Sequence, residues 1–158
     1  MSRLAAFSAA APRPFAVLEA IGALAQRVIG AKAFTMFRYL HEAQEVERIH
    51  SSDPVFYPVG GRKRVSDFPT NQSVLGRGEV YVAEGPDDIR ATYKDYEKIL
   101  KMGVTSIMNV PVRLCAANIG AVNLLGQAGQ FDEAAAGDAR VLAALMAPIV
   151  LQINGSLR

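Results

Sequence analysis

The sequence predicts an α+β domain, with a central antiparallel sheet of five to six strands, helices from both chain ends on one side and loops or short helices on the other. Three observations carry this. Apolar residues recur at helical spacing at both ends of the chain, over 14–30 and 131–153. Short β-branched and aromatic runs come in pairs that polar turns can fold into hairpins, over 31–52 and 104–126. Between the pairs lies a long excursion, 53–78, whose prolines and glycines break every periodic run.

The opening helix is read from Phe15, Leu18, Ile21, Leu24, Ala25 and Val28, spaced three or four apart, with Pro14 suited to its first turn and Gly30 to its stop. AKAFTMFRYLHE, 31–42, is a strand by its aromatic and β-branched content. VERIHSS, 46–52, alternates Val46, Arg48 and His50 against Glu47, Ile49 and Ser51, as an antiparallel strand with one wetter face does. Inside the excursion, a short strand over 55–59 and a helical turn after Pro69 are expected. EVYVAE, 79–84, is a strand, and GPDD gives the next helix, 87–101, an aspartate cap and an acidic first turn before Gly103 ends it. Strands at 104–113 and 118–126 then form a hairpin. The closing helix carries Val141, Leu142, Leu145, Met146, Ile149, Val150 and Ile153, with alanines on much of the rest. A helix apolar nearly all round is buried on more than one side, here by the sheet and by a partner chain. Pro148 inside it removes one helical hydrogen bond and is expected to kink it.

Composition sets outer bounds. At 158 residues the chain is one domain with a real core. The expected organisation is a flexible leader over 1–13, a single domain over 14–154 and a short tail over 155–158. A net charge of +2 gives no bulk electrostatic case for nucleic acid or an anionic membrane. One cysteine, Cys115, excludes an internal disulfide and a thiolate metal cluster. No run of eighteen uninterrupted apolar residues occurs, so no membrane span is expected. The default compartment is the cytoplasm.

GVTSIMNVPVRLCAANIGAVNLLGQAGQFDEAAAGDARVLAALMAPIVLQI resembles the C-terminal half of a GAF domain. Gly103, Ser106, Val110, Pro111, Ile119, Gly120, Phe131 and Asp138 sit where that family's pattern wants them. With the opening helix and the AFTMFRYL strand, the resemblance covers roughly 14–154. It implies a stand-alone small-molecule-sensing module, dimeric through its terminal helices, with a pocket on the sheet face away from them. Such a module acts through a protein partner, or is itself an enzyme on a small metabolite; a ligand-free dimerisation module is the third reading. The family's free methionine sulfoxide reductases use several cysteines, so that activity is not expected. A bilin-attaching Cys-His pair is absent too. No cofactor or metal is expected.

The candidate ligand contacts are Arg38, Tyr57, Asn109, Asn123, His50 and Ser66. With a turn at 115–117, Asn109 falls opposite Asn123, and directly paired residues share a face. Both amides then line the pocket, or else satisfy each other or a loop carbonyl. Arg38, among apolar neighbours, suits a bidentate clamp on a carboxylate or phosphate, or else lies at the rim with its head in water. Tyr39 and Tyr57 are candidate walls and His50 a candidate polar contact. In the glycine-led basic loop GGRKRVSDF, Arg62, Lys63, Arg64 and Ser66 would close over an anionic ligand, or else stay solvated. An enzyme reading would draw on His50, Ser66 or Asp67. Asp87-Asp88 and Asp132-Glu133 open helices, and capping explains them.

Overall fold

The computed structural model describes residues 14–155. The leader expected over 1–13 and residues 156–158 of the expected tail lie outside the described residues. Helix α1 spans Pro14–Val28, and strands β1, Ala33–Leu40, and β2, Glu45–Ser51, follow as a hairpin. The excursion contributes strand β3, Arg62–Arg64, a 3-10 turn, Val65–Asp67, and a wide π-type turn, Asn71–Arg77. Strand β4 is Tyr81–Glu84, and two short helices follow, α2 over Gly85–Thr92 and α3 over Tyr96–Lys101. Strands β5, Ser106–Leu114, and β6, Ala117–Gly126, precede the long helix α4, Glu133–Gly155.

The six strands form one antiparallel sheet in the order β3-β2-β1-β6-β5-β4. Strand alternation splits its side chains between two faces. Phe34, Met36, Met108, Val110, Val112, Val122 and Leu124 pack with Leu18 and Ile21 of α1 and Leu142, Met146 and Val150 of α4. Complete burial of a side chain such as Phe34 or Met146 contributes about 1.5–3 kcal/mol. The other face carries two smaller apolar clusters under the excursion and the short helices. One gathers Tyr57, Ile89, Ile99, Ile107 and Leu125; the other gathers Phe37, Val46, Phe68, Val74 and Leu75.

Local chemistry sets the element ends. Gly30 ends α1 with φ +75°, in the left-handed region that glycine adopts without a Cβ clash. Asp132 Oδ1 accepts the Ala135 N–H at 2.8 Å and caps α4. Gly120 lies where β6 passes closest to β1: a Cβ there would sit 2.3 Å from the Phe37 carbonyl oxygen. Helix α4 runs unbroken through Pro148, which sits on its exposed side.

Two elements depart from expectation. The third strand forms at Arg62–Arg64 rather than over 55–59, a segment of turns in which Val55 is 87% exposed. The helix expected over 87–101 is two helices, because Tyr93 takes an extended backbone, φ −110° and ψ 126°.

Candidate functional site

The asparagines belong to a polar row that crosses five strands on the loop side of the sheet. Ser51 pairs with Thr35, Thr35 with Asn123, Asn123 with Asn109, and Asn109 with Tyr81. The neighbouring row, Ala33, Leu125, Ile107 and Ala83, is apolar. The amides meet as the register predicts: Asn109 Nδ2 donates to Asn123 Oδ1 at 2.7 Å.

Asn109 is 1% exposed and does more than pair with its neighbour. Its Oδ1 accepts the Tyr93 hydroxyl at 2.6 Å and the Thr70 hydroxyl at 3.2 Å. One amide therefore ties the excursion and the α2–α3 junction to the sheet. Burial pushes the Tyr93 phenol far above its ordinary value, so it stays a donor. Asn123 is less buried and opens onto a cavity.

That cavity, about 50 Å³, lies at the seam between the two loop-side clusters. Thr35 and Asn123 form a polar patch of its lining; Phe37, Tyr57 and Phe68 supply rings; Arg48, Lys63 and Asp95 supply charge. The Arg48 guanidinium lies 4.8 Å from the Phe37 ring centre and 5.0 Å from that of Tyr57. The Lys63 ammonium lies 5.3 Å from the Phe37 centre and 4.8 Å from that of Phe68. Two cations thus share one ring, and cation–π attraction holds each in place.

Neither cation has an ion pair within 4.0 Å among the described residues. Arg48 Nη1 donates to the Pro58 carbonyl at 3.2 Å, and its buried Nε has no hydrogen-bond partner. Burial lowers the Arg48 pKa, against the opposing charges of Tyr57 and Asp95. Burial, followed by the Arg48 charge, lowers that of Lys63. Burial raises the Tyr57 phenol to about 12. The wall therefore holds two desolvated cations, neutral phenols and one carboxylate on the exposed Asp95.

Of the residues read from the sequence, Tyr57 and Asn123 line this cavity and Asn109 stands beside it. Lys63, from the basic loop, lines it as well. Arg38 is on the opposite face, 4% exposed, and is neither a clamp in the cavity nor a rim residue with its head in water. It donates from Nη2 at 2.6 Å and from Nε at 2.9 Å to Glu47 Oε2, and from Nη1 to Asn154 Oδ1 of α4 at 3.2 Å. His50 is also on the helix side, its ring 5.6 Å from that of Phe34. Ser66 is exposed in the 3-10 turn and lines an open groove with Arg64 and Asn71. Tyr39 borders a separate depression with Leu75 and Gln72. His50 and the Ser66-Asp67 pair are on opposite sides of the sheet, so the fold does not assemble them into one constellation.

Arg48 is the cavity residue that strand alternation did not single out. Alternation puts Arg48 and His50 on one face, but the β1–β2 ladder shifts register between Met36 and Phe37. Ile49 is the extra residue of this bulge, so His50 pairs with Met36 on the helix side and Arg48 with Phe37 on the loop side. A half-apolar strand with an arginine two residues from a histidine offers no sign of that bulge.

The half-buried His50 has a measurable consequence. Burial lowers its pKa below the ordinary 6.5, the nearby Glu19 opposing the shift. Between the lowered value and 6.5 the unfolded chain binds a proton that the folded one does not, so stability rises with pH across that window. Urea unfolding at pH 7 and pH 5 should show a loss on acidification that is smaller in His50→Gln. Equal losses in the two proteins would contradict a half-buried imidazole held neutral by partial desolvation.

No protein-family model and no curated protein sequence matches the chain. Solved structures do. The GAF domain of a phosphoenolpyruvate-protein phosphotransferase from Coxiella burnetii superposes with a TM-score of 0.80 at 16% identity, covering 98% of this chain and 92% of that one. The corresponding domain from Acinetobacter gives 0.77 at 15% identity, with coverage of 98% and 92%. A phycocyanobilin-bound GAF domain from a cyanobacterial phytochrome gives 0.71 at 13% identity, covering 96% and 91%.

Proposed function

Since the chain has the fold of a GAF domain over nearly its whole length, we propose that it is a small-molecule sensor whose ligand, a small anionic metabolite, binds in the loop-side cavity. The observation that carries this is the pair of half-buried cations, Arg48 and Lys63, neither of which has an ion pair within 4.0 Å among the described residues. Buried charges are ordinarily paired, because an unpaired one costs several kcal/mol of desolvation. An anion in the cavity would offset that cost, and the polar patch at Thr35 and Asn123 supplies groups to orient it.

The reading includes a homodimer joined through the terminal helices, acting on a protein partner. Val141, Ala144, Pro148 and Leu151 are exposed on α4, and their spacing puts them on one face; Phe15 is exposed on α1. Such a stripe suits helix pairing with a second copy.

A metabolite panel read by melting temperature tests the sensor reading. A ligand at a hundred times its Kd adds about 2.7 kcal/mol, a rise of roughly 5–10 °C for a domain of this size. The rise should come from anionic members and vanish in Arg48→Met. A flat response across the panel, with native mass spectra showing no copurified ligand, would count against the reading.

A further inference from the structure

We propose that the ligand of this cavity is a compact monocarboxylate, its two oxygens held between Arg48 and Lys63 and its short carbon chain lying against Phe37, Phe68 and Leu125. This rests on the reading of the cavity as the ligand site and narrows it by charge, size and donor geometry.

Charge comes first. Arg48 and Lys63 contribute two positive charges, Asp95 one negative, and the phenols of Tyr57 and Tyr93 are held neutral by burial. The lining residues alone therefore carry one net positive charge, with Asp53, Asp67 and Lys98 bearing on them from just outside. A single carboxylate balances the lining charge. A dianion would overshoot it and bring its second charge against Asp95, where like charges repel.

Size comes second. The cavity measures about 50 Å³. With about 10–15 Å³ per water on this measure, it holds roughly four non-hydrogen atoms. A carboxylate with one or two further carbons fills it, whereas a nucleotide or a tetrapyrrole is several times too large.

Donors come third. Arg48 Nε is buried without a partner, and Lys63 Nζ makes no hydrogen bond among the described residues. Each is anchored over an aromatic ring, so little side-chain freedom remains to be lost on binding. Both cations stand over the Phe37 ring, so a carboxylate lying against that ring would meet a guanidinium and an ammonium together. The ligand's charge would also relieve the repulsion between the two cations, which depresses the Lys63 pKa after burial.

The test is an amide NMR titration of the intact protein with propionate, propionamide and succinate. Propionate should bind saturably, shifting the amides of Arg48, Tyr57, Lys63 and Phe68, while propionamide, of the same shape without the charge, binds at least about tenfold more weakly. Lys63→Met should weaken propionate by about tenfold with an unchanged melt, and Asp95→Asn, at an exposed position, should improve succinate relative to propionate about threefold or more. Equal shifts from propionate and propionamide, or a preference for succinate in the unaltered protein, would overturn the monocarboxylate assignment while leaving a sensor site standing. If no probe moves these amides and the metabolite panel is flat as well, the sensor reading fails with it.

Discussion

Replacing Glu47 with leucine is expected to cost about 3–5 kcal/mol of stability, because it leaves a buried guanidinium without its carboxylate. Arg38 is 4% exposed, and without Glu47 its remaining partner is Asn154 at 3.2 Å. Glu47 joins three strands: it takes Arg38 of β1 on one side and Arg62 of β3 at 3.3 Å on the other. Glu47→Gln keeps an oxygen acceptor in place and should cost less. The double variant Arg38→Met, Glu47→Leu should recover most of the loss, since an apolar pair of similar volume removes the stranded charge. Urea unfolding of the four proteins at pH 7 measures this. A loss below about 1 kcal/mol for Glu47→Leu, the size seen for exposed pairs, would contradict a buried ion pair.

Asn109→Leu is expected to cost about 2–5 kcal/mol, from the same physics applied to neutral groups. Leucine is close to asparagine in size, so the loss comes from hydrogen bonding rather than from a cavity. It strands the Tyr93 and Thr70 hydroxyls, each at a cost of about 1–3 kcal/mol, while Asn123 Oδ1 opens onto the cavity and loses less. The damage should be local as well as global. Tyr93 and Thr70 tether the α2–α3 junction and the start of the π-type turn, so hydrogen exchange there should accelerate more than in α1 or α4. Uniform acceleration, or stability unchanged within about 0.5 kcal/mol, would remove Asn109 from its place as the tether.

The two hairpins and both terminal helices are legible in the sequence because hydrophobic spacing and turn chemistry are local, whereas the β1–β6 pairing that joins the hairpins is not. The Asn109–Asn123 contact is legible only in part: the two-residue turn Cys115-Ala116 alone would set Asn109 opposite Val122, and an irregularity between Val112 and Arg113 shifts the register by one so that Asn123 becomes its partner. The rest depends on distant contacts. RKR is a poor strand by propensity, and it forms β3 because Arg62 reaches Glu47 while Lys63, one residue on and on the other face, lies over Phe37 and Phe68. Tyr93 breaks a helix that its sequence would continue, its hydroxyl bonding to Asn109 16 residues later in the chain. The two arginines were exchanged in importance for related reasons. Arg38 looked functional for sitting among apolar residues, but Glu47 on the next strand neutralises it. Arg48 looked ordinary, and a bulge turns it into the cavity.

Those two arginines provide the most direct test of the account. Side-chain 15N NMR resolves Nε–Hε groups, and a carboxylate bound to one shifts its resonance and slows its exchange with solvent. On titration with propionate, the Arg48 signal should move, while that of Arg38, already bonded to Glu47 at 2.9 Å, stays where it is. Movement of Arg38 with Arg48 unchanged would put the ligand on the helix side of the sheet and contradict the loop-side site.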